Sequence, residues 1–479
     1  MTNNYEKNLK SWIEDEKSAI ELISTIGHLW LDKSIEVTLF RNQLIDRKVS
    51  EILSLHQYSK DIVKKPITVQ ETLNVAKAMA TLNLAPSKID IGTLTANWIS
   101  SNQNIEEYLS TTLSQFMSSS NEAVEPRDVV LYGFGRIGRI AARELISQAG
   151  SGKQLRLRAI VTRTNSDDDL RKRAELLRRD SVHGPFPGTI VEDFENKALV
   201  INGHTIIMIA AAKPEEIDYT AFGINNALLI DNTGAWRDRE GLNKHLLGKG
   251  IAQVLLTAPG KGDIPNIVFG VNHNTLDLEN EKIFSAASCT TNAIVPVISV
   301  MENKFGIEKG HIETIHSYTN DQNLLDNYHK KYRRGRSAAL NMVITETGAG
   351  KAVTKAIPAM AGKLTANAVR VPTPNGSLAV MSLNLNRETS VEEINEIVKD
   401  AALNGALVEQ IYYSFSNELV STDIIGNSCP SVFDSAATIV SNDKKSAILY
   451  VWYDNEYGYT RQVMRMAKFI TKVRRPTNY

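Results

Sequence analysis

Two stretches of this sequence join residue types that could do chemistry. In SAASCTTNAIVPV, Cys289 stands in a turn of small polar residues just before an apolar helical run. A thiol there would face the free N–H groups of a helix start, which favour thiolate over thiol and so make a nucleophile. A lone cysteine is more often an inert core residue, but Ser288, Thr290, Thr291 and Asn292 are poor neighbours for one. In DVVLYGFGRIGRIAARELI, Gly133, Gly135 and Gly138 have G-x-G-x-x-G spacing after an apolar strand and at the start of a helix, with Arg136 and Ile137 between them. Glycines let the chain turn tightly and approach a pyrophosphate, and the helix start favours that anion. The same glycines could merely join strand to helix, so other motifs must decide. At the end of the next strand, RLRAIVTRTNSDDD, an acid would normally hold the adenosine ribose. Thr162 falls there, followed by Arg163. A 2′-phosphate would meet a hydroxyl and a cation, which favours NADP over NAD, unless Asp167 or a neighbour swings back or Arg163 points to solvent.

The elements that must position these groups fall into two regions. Residues 1 to about 120 hold helix-period apolar positions, with Ile105, Leu109, Leu113 and Phe116 or Met117 on one face. Thr68 with Glu71 and Asn104 with Glu107 read as capping boxes. This region is expected to be all-helical. Ser118 to Pro126 is polar and turn-forming, as a linker is. Beyond it, VVLYG, LRLRAIV, LLIDNTG and VLLTAPG alternate with helical stretches, the pattern of an α/β fold with a largely parallel sheet.

Bulk composition limits the alternatives. A chain of 479 residues exceeds one ordinary core and predicts two or three domains. Hydrophobic residues make up 42% and charged residues 23%, a globular balance. Lys plus Arg and Asp plus Glu both count 54, so no global field draws in nucleic acid or an anionic membrane. Two cysteines, Cys289 and Cys429, form no disulfide framework and suit a reducing cytoplasm. The acidic start lacks a signal peptide's apolar stretch, and no run of about 18 apolar residues could span a bilayer. The expected location is cytoplasmic.

From Asp128 onward the sequence resembles the glyceraldehyde-3-phosphate dehydrogenases, through GFGRIGR, DSVHGPF, NTGAW, SCTTN, HSYTNDQ, RRGRSAALN, ETGAGKAV, GKLTANAVRVPTPN and WYDNEYGY in order. The resemblance implies a helical extension over 1–122, a Rossmann-type NAD(P)-binding domain over 123–288 completed by a C-terminal helix over 455–479, and an α+β catalytic domain over 289–454. It implies Cys289 as nucleophile and His316 as base. Cofactor contacts would come from Gly133, Gly135, Arg136, Ile137, Gly138, Thr162, Arg163, Thr233, Gly234 and Thr257, with Asn455 orienting the nicotinamide. Thr319 and Arg370 would hold the substrate phosphate, and Ser288, Thr290, Thr347 and Gly348 the attacking inorganic phosphate. No metal is implied. The implied reaction converts glyceraldehyde 3-phosphate and inorganic phosphate to 1,3-bisphosphoglycerate, reversibly, through a Cys289 thioester. The implied assembly is a homotetramer, without nucleic acid or membrane partners, and the run from Lys330 to Arg336 reads as an interface or solvated loop. Two features depart from the family: Ala293 replaces a common second cysteine, and TETGAGK differs mildly from the usual pattern. An erythrose-4-phosphate dehydrogenase is the alternative enzyme, disfavoured by Thr347, Gly348 and the HSYT threonine. A partner-binding protein on the same fold is the other. The catalytic part is expected to stay active without the extension.

Overall fold

A computed structural model describes residues 2–117 and 125–478, so most of the expected linker lies outside the described residues. The chain separates into two compact units. One holds Met1–Pro126, Ser147–Leu155 and Lys472–Tyr479; the other holds Arg127–Ile146 and Arg156–Thr471.

The first unit is built on helices Thr2–Leu31, Val49–Tyr58, Val69–Thr81, Ile91–Ser101 and Ile105–Thr112. Thr68 and Glu71 form the reciprocal cap, and Asn104 accepts from the N–H groups of Glu106 and Glu107. Leu109, Leu113 and Phe116 are buried with Leu22, Ile26, Leu73 and Met79, because their spacing puts them on one face. The all-helical expectation needs correction. Glu36–Leu39, Asn42–Gln43, Lys88–Asp90 and Thr477–Asn478 form a four-stranded sheet. Its hairpin turns at Phe40 and Arg41, with φ of 44° and 71°. The buried Asp90 carboxylate holds that turn by accepting from both backbone N–H groups, at 3.0 and 2.6 Å. The segment 455–479 also differs from expectation. Its helix is Tyr457–Ile470, and Thr477–Asn478 then pairs in parallel with Lys88–Ile89. Gln154 donates to the Val473 carbonyl at 2.7 Å, which ties two of this unit's late segments together.

The second unit contains two large sheets. The first runs in the order Ile283–Ser285, Ile251–Leu256, Ala227–Asp231, Arg127–Tyr132, Leu155–Thr162, His204–Ala210, Ala198–Ile201 and Ile190–Asp193. The first four strands pair in parallel, as does Leu155–Thr162 with His204–Ala210, and the last three are antiparallel. The second sheet is mixed, in the order Val343–Thr345, Leu364–Val371, Ile307–Ser317, Ser377–Leu385, Ser446–Tyr453, Ser431–Asp434 and Ile411–Ser414. Helix Cys289–Phe305 packs Ile294, Val297 and Met301 into the core with Met381, Leu449 and Phe433. Among the described residues no helix is long and apolar enough to cross a membrane.

Candidate active site

Cys289 opens the helix Cys289–Phe305, as the polar turn before it predicts. Ser288 is the N-cap and accepts from the Thr291 N–H at 3.0 Å, so its hydroxyl satisfies one orphan donor of the first turn. Ala287 just before it sits in the left-handed region at φ 55°, a conformation costing roughly 1–2 kcal/mol for a residue with a Cβ. Two bonds hold it there: its N–H donates to Ser285 Oγ at 3.0 Å, and the buried Tyr459 hydroxyl donates to its carbonyl at 2.9 Å. This strained turn sets Cys289 at the first position of the helix.

His316 reaches that thiol from the strand Ile307–Ser317, with Nε2 3.5 Å from Cys289 Sγ. Nδ1 lies 2.7 Å from the Ser317 carbonyl, which can only accept, and 3.2 Å from Arg370 Nη1, which can only donate; the shorter contact favours a proton on Nδ1, the tautomer that leaves Nε2 as the acceptor facing sulfur. Strand register sets Arg370 directly beside His316. The guanidinium donates to the Ser317 carbonyl at 3.0 Å and to Thr319 Oγ1 at 3.2 Å. Burial, and after it the Arg370 cation, drive the imidazole down to about 3. Burial also pushes the Cys289 thiol up, against the pull of Arg370 and of the Thr290 bonds. Both shifts disfavour a thiolate–imidazolium pair. Desolvation acts against the thiolate bias expected of the helix start.

The sequence-predicted cofactor residues gather along two clefts of the same unit. Gly133, Gly135, Thr162, Arg163 and Thr233 line one of about 450 Å³, together with Arg173 and Trp236. Arg136, Ile137, Thr257 and Asn455 line the other, of about 610 Å³, with Ser288, Cys289, His316, Thr319 and Arg370. Gly138 packs the loop instead of lining a cleft: a Cβ there would come within 2.4 Å of the Gly133 carbonyl oxygen. A Cβ on Gly135 would meet no protein atom within 4 Å, so the loop leaves the open space that close approach of a pyrophosphate would need. Thr233 is fixed by the buried Asp231 carboxylate, which accepts from its N–H at 2.7 Å and its hydroxyl at 2.6 Å; Gly234 follows at φ 61°. These residues fit a dinucleotide.

The phosphate residues are only partly brought together. Thr319 and Arg370 are bonded neighbours. Thr347 lines a separate cleft with Arg334 and Thr345, and Gly348 caps the helix Ala349–Ala356. Thr290 Oγ1 is 3.0 Å from the buried Tyr453 hydroxyl. In the basic run, Arg334 pairs with Asp321 and Arg336 with Asp326. Among the described residues no cluster of His, Cys, Asp or Glu has the arrangement of a metal site.

Several site residues went unread in the sequence. Glu456 accepts from Arg136 Nε at 2.9 Å and lies 3.0 Å from His183 Nε2, tying the pyrophosphate loop to the turn that carries Asn455. Asp454 builds that turn by accepting from the N–H groups of Glu456 and Tyr457 and from Asn375. Both lie inside WYDNEYGY, so the signal was adjacency to Asn455. Arg173 carried none beyond its place on the helix after Arg163.

Comparison with known proteins agrees with this geometry. Residues 127–239 match the family model described as glyceraldehyde 3-phosphate dehydrogenase, NAD binding domain, and residues 288–455 the one described as its C-terminal domain. A "Glyceraldehyde-3-phosphate dehydrogenase-like protein" of Pseudomonas aeruginosa (strain UCBPP-PA14) is 49% identical over 460 residues, 95% of this chain and 99% of that protein. That similarity must reach into the extension. "Glyceraldehyde-3-phosphate dehydrogenase 2" of Trichormus variabilis and "Glyceraldehyde-3-phosphate dehydrogenase 1" of Bacillus subtilis (strain 168) are each 39% identical over 344 residues, 72% of this chain and 98% of theirs. The chain belongs to the glyceraldehyde-3-phosphate dehydrogenase family of oxidoreductases, with its nicotinamide-dinucleotide domain and its catalytic domain behind an N-terminal extension.

Proposed function

We propose that the chain oxidises glyceraldehyde 3-phosphate to 1,3-bisphosphoglycerate, reversibly, through a Cys289 thioester, and accepts NADP at least as well as NAD. The observation that carries the reading is the 3.5 Å approach of Cys289 Sγ to His316 Nε2, with Nδ1 2.7 Å from the Ser317 carbonyl. His316 Nε2 takes the thiol proton as sulfur attacks the aldehyde carbon, giving a hemithioacetal. Arg370 and Thr319, which line the same cleft, hold the substrate's phosphate. Bound nicotinamide supplies the hydride acceptor, and Asn455, steadied by the Ser377 hydroxyl at 2.8 Å, orients it. His316 handles the proton of the hemithioacetal hydroxyl. The resulting thioester is opened by inorganic phosphate, releasing the acyl phosphate and the thiol.

The cofactor reading rests on the first cleft. Its lining includes Arg163 and Arg173 and no carboxylate, and Arg173 Nε is buried without a partner. The three nearby acids are engaged elsewhere: Asp167 with Lys197 at 2.8 Å, Asp168 with Arg171 at 3.3 Å, and Asp169 in the cap at Ser166. A homotetramer in the cytoplasm is the proposed setting. One observation favours a second reading. Thr347 faces a cleft apart from Cys289, as would suit an enzyme of the erythrose-4-phosphate type in which water, not phosphate, opens the thioester. An initial-rate assay with glyceraldehyde 3-phosphate, comparing NAD with NADP and phosphate with none, separates the two. Phosphate-independent turnover overturns the first reading.

A further inference from the structure

The helix Thr2–Leu31 carries two apolar faces, and only one is used inside its unit. Ala19, Leu22, Ile26 and Leu29 are buried in the core. Tyr5, Leu9, Trp12, Ile20 and Leu31 lie on another stripe and are between 41 and 67% exposed. At about 100° per residue that stripe is centred roughly 110° around the helix from the buried one. Its positions follow an eleven-residue repeat, Tyr5 to Glu16 to Gly27 and Leu9 to Ile20 to Leu31. An eleven-residue repeat keeps a stripe nearly straight along the helix, so it can lie against another helix over its whole length.

We propose that this stripe pairs with the same stripe of a second copy of the chain, antiparallel, with the twofold axis near Ser18. Reversal about Ser18 maps the stripe onto itself. Tyr5 then faces Leu31, Trp12 falls beside Ile23, and Leu9 faces Gly27. A Cβ on Gly27 would meet nothing within 4 Å, so packing inside the chain gives no reason for a helix-interior glycine that costs about 1 kcal/mol. A partner's Leu9 entering that gap does. Glu16 faces Ile20, which staggers the two carboxylates, whereas a parallel pair would oppose Glu16 to Glu16 and leave Gly27 against Gly27. Such self-complementarity is what a twofold interface requires. The exposed parts of these side chains amount to roughly 500 Å² per copy, or about 1,000 Å² for the pair, the lower bound for a specific interface. A membrane surface suits the stripe less well, because the helix carries five acidic and three basic residues and anionic lipid would repel it.

The full-length chain tests this. By sedimentation velocity, Leu9→Glu with Trp12→Glu should halve the particle mass while far-UV dichroism and kcat stay unchanged. Equal masses, or a wild type that sediments as a single chain, overturn the proposal. Register is read by oxidative cross-linking: Leu9→Cys mixed with Gly27→Cys should give an inter-chain disulfide that neither variant gives alone. Cross-linking of Leu9→Cys with itself overturns the antiparallel arrangement. Pelleting of the wild type with anionic vesicles, abolished in the double glutamate variant, would assign the face to lipid instead.

Discussion

Replacing His316 by asparagine keeps a polar side chain of similar reach but removes the only base within hydrogen-bonding distance of the Cys289 sulfur among the described residues. A positioned general base contributes roughly 10²- to 10⁴-fold. At 3.5 Å the contact is already formed, so no rearrangement dilutes its effect, while asparagine can still accept a weak bond from the thiol. The lower half of the range follows: a loss of about 10²- to 10³-fold in kcat/KM, or about 2.7–4 kcal/mol of transition-state stabilisation. The pH profile is a sharper check. With the imidazole driven down to about 3 by burial and the Arg370 cation, it should act as a neutral acceptor around neutral pH. The thiol is pushed up, so iodoacetamide alkylation in the absence of cofactor should climb with pH through the alkaline range, with no step near neutrality. His316→Asn should lower that curve without adding or removing a step. An acid limb near pH 6.5 in the wild type that vanishes in the variant would show that the imidazole titrates normally. Equal alkylation rates in the two proteins would refute the pairing itself.

Cys289→Ser should abolish turnover and leave dinucleotide affinity, read by fluorescence titration, nearly unchanged. Thr162→Asp should move the NADP to NAD ratio of kcat/KM toward NAD by about 1–3 kcal/mol, and Arg173→Ala should weaken NADP alone; equal effects on both cofactors would remove Thr162 and Arg173 from the ribose site. Gly138→Ala would force a Cβ against the Gly133 carbonyl and should cost about 1–3 kcal/mol in stability, seen as a lower Tm that saturating cofactor only partly restores. Acid should destabilise the wild type more than His316→Asn: the folded imidazole resists protonation, so as pH falls from about 6.5 the unfolded chain binds the proton first and stability is lost down to about pH 3. Deleting residues 1–126 should not give the separable core expected from the sequence, because Ser147–Leu155 and Lys472–Tyr479 would lose the unit they fold with; a soluble truncation with unchanged Tm would refute this.

The dehydrogenase part was legible because its signals are local. The three glycines, the strand before them and the helix after them are contiguous, and the polar turn at Ser288–Asn292 announces a helix start. The pairing of His316 with Arg370 is a matter of strand register between segments some fifty residues apart, which only a recognised family pattern could suggest. The upward push on the thiol escaped because burial is a tertiary property that no flanking residue reports. The extension's sheet escaped for two reasons. Its hairpin turns on Phe40 and Arg41, neither of which advertises a positive φ as glycine or asparagine would. Its strands are also too short for a period-two pattern to show. Arg173 reaches the cofactor cleft from a helix whose sequence reads as an ordinary charged surface.

The parallel pairing of Thr477–Asn478 with Lys88–Ile89 has a consequence for synthesis. Roughly 390 residues separate the two strands, and at about 5–20 residues per second the ribosome needs on the order of 20–80 s to bridge them. During that interval the first unit can collapse around its helices, but the edge of Lys88–Asp90 waits unpaired. The strand that closes it emerges only after Cys289, His316 and the whole catalytic sheet. A chain interrupted anywhere in the dehydrogenase therefore keeps the Lys88–Asp90 edge open, and such edges are what chaperones and aggregates recognise. The sheet that holds Glu36–Leu39 and Lys88–Asp90 therefore gains its fourth strand only after the catalytic segments have been made.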